Sequence, residues 1–209
     1  MQPLTVATMT PNRYRRFVKP AFDRVLGAVL LVVAAPGMGA IAIAIRMTKG
    51  APVIFRQRRV GERGQEFTVY KFRTMGPDRR RRASPIESER RLTHKSPTDP
   101  RLTTIGQFLR RWSLDELPQL WNVVTGTMSL VGPRPELVEI VARYEPWQHR
   151  RHEVRPGITG LWQVTARGDT VMHEATDIDL DYVDSVSLGL DVRILIRTLS
   201  AALGRQKGF

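Results

Sequence analysis

The 209-residue sequence predicts an α+β protein, mostly helical, in which a re-entrant membrane helix carries a cytoplasmic domain with one small β-hairpin. Three observations predict this class. Twenty consecutive residues from Leu26 to Ile45 carry no charge, and a helix of that length reaches roughly across a bilayer's hydrocarbon core. The run is basic on both sides. Beyond it, two strand-like segments separated by turn glycines precede a series of helical and glycine-punctuated stretches.

Charge narrows the partners. There are 33 Lys and Arg against 20 Asp and Glu, a net charge of +13, which calls for an anionic partner such as a membrane surface, a phosphorylated substrate or nucleic acid. Residues 1–60 carry a net +9, residues 61–112 a net +7 and residues 113–209 a net −3. The basicity thus surrounds the apolar run. The absence of cysteine excludes disulfides, thiolate metal sites, a cysteine nucleophile and iron–sulfur chemistry.

The elements follow in order. Residues 1–20 form a basic N-terminal segment and residues 21–49 the membrane helix. Arg13, Arg15, Arg16, Lys19 and Arg24 precede the apolar run; Arg46, Lys49, Arg56, Arg58 and Arg59 follow it. The positive-inside rule assigns both ends to the cytoplasmic side. A straight span cannot satisfy that, and Pro36 with Gly37 and Gly39 supplies a bend in the middle. A signal peptide fits badly, because the run starts late and lacks a clean cleavage site.

Residues 50–209 form the remaining domain. Pro52–Phe55 and Glu66–Tyr70 read as strands around the turn Arg59–Gly64. Residues 76–101, with the run Arg79–Arg82, read as a long mobile loop; arginines here suit anionic lipid better than nucleic acid, since no aromatics interleave them. Helical patterning resumes at Thr103–Trp112, with Ile105, Phe108, Leu109 and Trp112 on one face.

Ser113, Asp115, Glu116 and Pro118 come next. Ser113 and Glu116 match a capping box, but Pro118 would then break the helix. With Asp115 as the cap, the proline falls in the first turn. That register places Asp115 and Glu116 at a helix N-terminus, where dipoles favour carboxylate and phosphate alike. Capping and catalysis both remain open on spacing alone. Pro133 and Pro135 clamp Arg134 ahead of a helix over residues 136–144. Residues 155–168 read as a basic loop, His149 and His152 as surface residues without metal-ligand spacing, and Leu188–Leu203 as a closing helix.

Lys71–Met75, Ser113–Gln119, Met128–Pro135 and Arg155–Gly160 in this order resemble the motifs of the bacterial sugar transferase family, the monotopic phosphoglycosyl transferases. The resemblance runs from about Lys19 to the C-terminus. It implies transfer of a sugar-1-phosphate from a UDP-sugar to polyprenyl (undecaprenyl) phosphate with release of UMP. That reaction opens polysaccharide or glycoconjugate synthesis at the cytoplasmic face of the bacterial inner membrane. By the same resemblance Asp115 is the nucleophile that carries a covalent phosphosugar. Glu116 assists, and both serve Mg²⁺. Lys71, Arg73, Arg110, Arg111 and Arg134 are implied to hold phosphate oxygens, while Gln163 and Arg167 fall on the nucleotide side. Anionic lipid is an expected partner, nucleic acid is not, and a homodimer stays open.

Two residues depart from the family pattern: Ala35 precedes Pro36 where serine is common, and Thr127 stands where an aspartate is familiar. Longer members carry spanning helices and a further domain upstream; here the sequence begins close to the catalytic unit. A basic peripheral protein without catalysis is the alternative. It accounts for the charge but not for an Asp-Glu pair in a net-acidic half.

Overall fold

A computed structural model describes residues 13–76, 101–166 and 176–203. The Arg79–Arg82 run, Arg167 and most of the 76–101 segment lie outside the described residues. The chain enters through a π turn, Tyr14–Val18, and continues into α1, Lys19–Lys49. This helix is long and apolar enough to cross a membrane. The helix continues unbroken past Pro36, and Val25, Val29, Val32, Val33 and Ile43 on its outer side are exposed.

Its other side is not exposed. Leu26, Leu31 and Ala34 pack on the main core, and Met38, Ile41 and Ala42 on a second cluster around Ile45, Phe72 and Leu109. Gly27 lets the helix come against Val123, since a Cβ there would lie 2.9 Å from that side chain. A buried polar knot ties down the start of α1. Asp191 accepts from Tyr14 (2.6 Å), Lys19 (2.6 Å) and Tyr182 (2.7 Å), while Asp23 accepts from the Ser129 hydroxyl at 2.6 Å. Both ends of α1 therefore rest on one domain.

The hairpin is β1, Ile54–Val60, with β2, Glu66–Phe72, paired antiparallel so that Phe55 faces Lys71 and Arg59 faces Phe67. β1 starts later than the Pro52–Phe55 strand the sequence suggests, because Pro52 has no amide hydrogen to give to a ladder. The ends of the long 76–101 segment are drawn together: Gly76 donates to the Arg101 carbonyl at 2.8 Å, and Met75 bridges to Leu102.

Helix α2, Thr104–Arg111, is capped by Thr103, whose hydroxyl accepts from Gly106 at 3.0 Å. Its apolar face divides. Leu109 is buried, whereas Phe108 and the following Trp112 are exposed. A 3₁₀ turn, Leu114–Glu116, leads to α3, Gln119–Thr125.

Residues 129–165 correct the sequence reading in three places. The expected loop at 155–168 contains β4, Gly157–Thr159, which pairs in parallel with β3, Ser129–Val131, and then α5, Leu161–Thr165. The backbones meet so closely that a Cβ on Gly157 would fall 2.1 Å from the Gly132 nitrogen, which explains glycine at both ends of the contact. The helix expected over 136–144 shrinks to α4, Val138–Val141, because Glu136 is drawn into a bridge with Val60.

A 3₁₀ helix, Pro146–Glu153, follows. His149 is exposed there as expected, but His152 is buried and stacks on Tyr144 with ring centroids 6.0 Å apart. Burial, then Arg151 and His149, push its imidazole down to a pKa of about 4. α6, Thr176–Ser185, and α7, Leu188–Leu203, close the core over Tyr182, Val183 and Ile194. Burying one such aliphatic side chain stabilises by about 1.5–3 kcal/mol.

Candidate active site

Asp115 and Glu116 do not start an α-helix. Ser113 adopts a left-handed conformation (φ 54°) with no side-chain cap, and the chain winds as a 3₁₀ turn, with Glu116 N donating to Ser113 O at 3.2 Å. Pro118, which has no amide hydrogen, occupies the cap position of α3, so the helix begins at Gln119. The register with Asp115 as cap is therefore replaced. The two carboxylates sit on the turn before the helix, and side-chain cations meet Glu116 there.

Those cations come from two directions. Lys71 Nζ on β2 donates to Glu116 Oε1 at 2.8 Å, and Arg134 donates to the same oxygen at 2.7 Å. The three side chains are only 14–20% exposed. Burial pushes the Lys71 ammonium down and the charge of Glu116 pulls it back; Arg134 is held above its usual value by Glu116 first. Asp115 is buried at 6% exposure, and its charge acts on both cations. The pairing needs β2 and the dyad turn held in register. Asn122 of α3 does this by accepting from Tyr70 N at 3.3 Å and donating to Thr68 O at 2.8 Å. Thr127, the departure from the family pattern, closes the end of α3 with bonds from its backbone and hydroxyl to Asn122 O.

Arg134 is aimed by its carbonyl side. Neither flanking proline has an amide hydrogen, so the loop is gripped through four successive carbonyls. Pro133 O accepts from Gly157 N (2.9 Å), Arg134 O from Arg151 (2.9 Å), Pro135 O from Arg59 (3.0 Å) and Glu136 O from Val60 N (3.1 Å). Arg151 is itself fully buried between Asp179 and Glu136. Burial raises the Asp179 carboxyl to about 6, against the pull of Arg151.

The remaining basic residues stand differently. Arg73 donates to the carbonyls of Ala51 (3.0 Å) and Gly50 (3.1 Å), which anchors the exit from α1. Arg110 Nε donates to the Thr74 hydroxyl at 3.0 Å, and Arg111 is exposed. Gln163 lies on α5, donating weakly to Ile158 O at 3.4 Å, and its Oε1 has no partner among the described residues. The sequence reading took Arg59 only as a flanking charge and a turn residue, and did not place Asn122, Arg151 or Asp179 in the site. Of these, Arg59 had a signal, because period-two alternation puts it on the same hairpin face as Lys71.

Among the described residues no three or more His, Asp or Glu side chains gather to hold a metal ion. Asp115 and Glu116 nonetheless supply two hard oxygen donors. That is the usual protein share of a Mg²⁺ that takes its other ligands from phosphate and water, so the donor chemistry fits a metal shared with substrate.

The family model described as bacterial sugar transferase matches residues 14–205. The chain belongs to the bacterial sugar transferase family. Among its relatives, UDP-glucose:undecaprenyl-phosphate glucose-1-phosphate transferase of Xanthomonas campestris pv. campestris is 39% identical over 208 residues, covering 95% of this chain and 41% of the relative. The transferase of the same name from Escherichia coli K12 is 40% identical over 192 residues, 88% of this chain and 40% of its own. The uncharacterized sugar transferase EpsL of Bacillus subtilis is 43% identical over 159 residues, 76% and 74% respectively. The chain thus spans about two-fifths of the first two family members.

Proposed function

We propose that this member of the family transfers a sugar-1-phosphate from a UDP-sugar to undecaprenyl phosphate and releases UMP, as an early membrane step of polysaccharide or glycoconjugate synthesis. The observation that carries this reading is the placement of Asp115 beside Glu116, Lys71 and Arg134, in a domain that rests on both ends of an apolar helix. The names of the relatives support it.

Asp115 attacks the sugar-bearing phosphorus of the donor. The bond from that phosphorus to the bridging oxygen breaks, UMP leaves with the electron pair, and an aspartyl phosphosugar remains. An oxygen of undecaprenyl phosphate then displaces the carboxylate, forming the polyprenyl diphosphate sugar and restoring Asp115. Lys71 and Arg134 fix the Glu116 carboxylate on the dyad and offset charge as the phosphates approach. Asp115 and Glu116 would hold Mg²⁺ together with substrate phosphate, and the ion would offset negative charge in the donor.

The helix lies in the cytoplasmic leaflet as a re-entrant element. Its support is that Lys19 and Asp23 near one end, and Ile45 near the other, are buried against the same domain, in addition to the basic flanks. Assaying UMP release over a panel of UDP-sugars with undecaprenyl phosphate tests the reaction; no release with any of them overturns it.

A further inference from the structure

Among the described residues, Lys71 and Arg134 close on Glu116, and a further cation feels its charge. Arg59 is the third. Its guanidinium is partly buried under the Arg134 loop and makes two bonds, to Pro135 O at 3.0 Å and to Gln57 Oε1 at 2.7 Å. Both acceptors are neutral. Among the described residues no ion pair to Arg59 forms within 4 Å. With only the described residues as acceptors, three of its five N–H groups remain for another.

The setting makes this costly for the apo protein. Burial, and next the like charge of Arg134, pull the Arg59 guanidinium down to a pKa of about 10, while Glu136, Glu116 and Glu139 act in the other direction. A cation whose plane is fixed by two neutral acceptors, beside a repelling guanidinium and lacking its own carboxylate, is prepared for an anion that arrives with substrate.

We propose that Arg59 is a phosphate-binding residue of this site, donating to the oxygens of a phosphate or diphosphate ester with the N–H groups that Gln57 and Pro135 leave unused. The proposal rests on the phosphotransfer reading above and adds a residue to it. Lys71 and Arg134 hold the carboxylate in place, and Arg59 holds the substrate's charge. The competing role is purely mechanical, a prop for the Pro135 carbonyl.

The test uses the full chain in detergent or lipid nanodiscs, with inorganic pyrophosphate as the binding probe and UMP release as the kinetic one. Arg59→Gln is expected to weaken pyrophosphate about tenfold or more, the range for a hydrogen bond to a charged group. Arg59→Lys should recover part of that loss, because it keeps the charge but not the fork. Arg193→Gln, an exposed site on α7, should match wild type.

In turnover, a rise in KM confined to the UDP-sugar assigns Arg59 to the donor; a rise confined to undecaprenyl phosphate assigns it to the acceptor. Wild-type protein that binds no pyrophosphate overturns the proposal, as does Arg59→Gln protein that binds it normally. So do losses of activity that merely follow losses of folded protein. If Arg59→Gln does not fold, Arg59→Lys decides: unchanged affinity and unchanged KM for both substrates refute the proposal. Pyrophosphate binding lost on Arg59→Gln in a chain that releases no UMP keeps the anion site and refutes the reaction instead.

Discussion

Glu116 is the hub of the cation cluster, so its coupling to Lys71 is the first quantity to measure. Glu116→Gln keeps the shape of the side chain but removes the charge that Lys71 and Arg134 approach at 2.8 and 2.7 Å. A hydrogen bond to a charged group contributes about 1.5–3 kcal/mol. The participants are 14–20% exposed, so screening reduces this, and a net loss of about 2 kcal/mol is expected. For a chain of this size that lowers Tm by roughly 4–8 °C. Lys71→Met alone should cost a similar amount, because it leaves Glu116 with one cation fewer. The double variant should lose less than the two singles together, with a coupling of about 1–2 kcal/mol in a double-mutant cycle read by thermal or denaturant unfolding. Turnover should fall severely in Glu116→Gln. Additive losses within about 0.3 kcal/mol, or an unchanged Tm in both singles, would refute the reasoning.

Two further predictions concern pH and topology. Asp179, raised to about 6, binds a proton in the folded state over about pH 4–6, so its contribution to stability is lost as pH rises through that window. His152, lowered to about 4, does the opposite: the unfolded chain takes the proton first, and stability is lost as pH falls from about 6.5 towards 4. The two nearly cancel in the parent, so His152→Phe should gain about 1–2 kcal/mol relative to wild type as pH falls from about 6.5 to about 4.5; parallel Tm–pH profiles would contradict the assignment. For topology, single cysteines at Asn12→Cys and Ala51→Cys are clean probes in a chain with none of its own. Both should label from the same face of a sealed vesicle, and labelling from opposite faces replaces the re-entrant helix with a spanning one.

What the sequence made legible was whatever is local. The apolar run, the hairpin and the last helix each depend on neighbours a few residues away, and α7 has the bounds its pattern suggests. The parallel pairing of β3 with β4 was hidden. Three-residue strands around Gly132 and Gly157 carry no alternation to read, and their contact depends on two backbones meeting without side chains. The dyad was visible as a motif, but its register was not, because Ser113 turns left-handed and converts an expected cap into a 3₁₀ turn. Arg151 and Asp179 stand 28 residues apart and pair in the core. Nothing in their neighbourhoods marks them as buried, so basic and acidic letters there read as surface.

The central claim is that Asp115 carries the phosphosugar, and intact-protein and peptide mass spectrometry tests it most directly. Wild-type protein is incubated with a turnover-competent UDP-sugar in the absence of undecaprenyl phosphate. The account predicts a mass increase equal to one sugar phosphate, located on the peptide at Asp115, discharged when the lipid acceptor is added and missing in Asp115→Asn. That variant should fold like wild type, since an amide keeps the shape and a hydrogen-bonding oxygen while losing the nucleophilic charge. An adduct on another residue, or Asp115→Asn protein that retains most of its UMP release, would contradict the assignment.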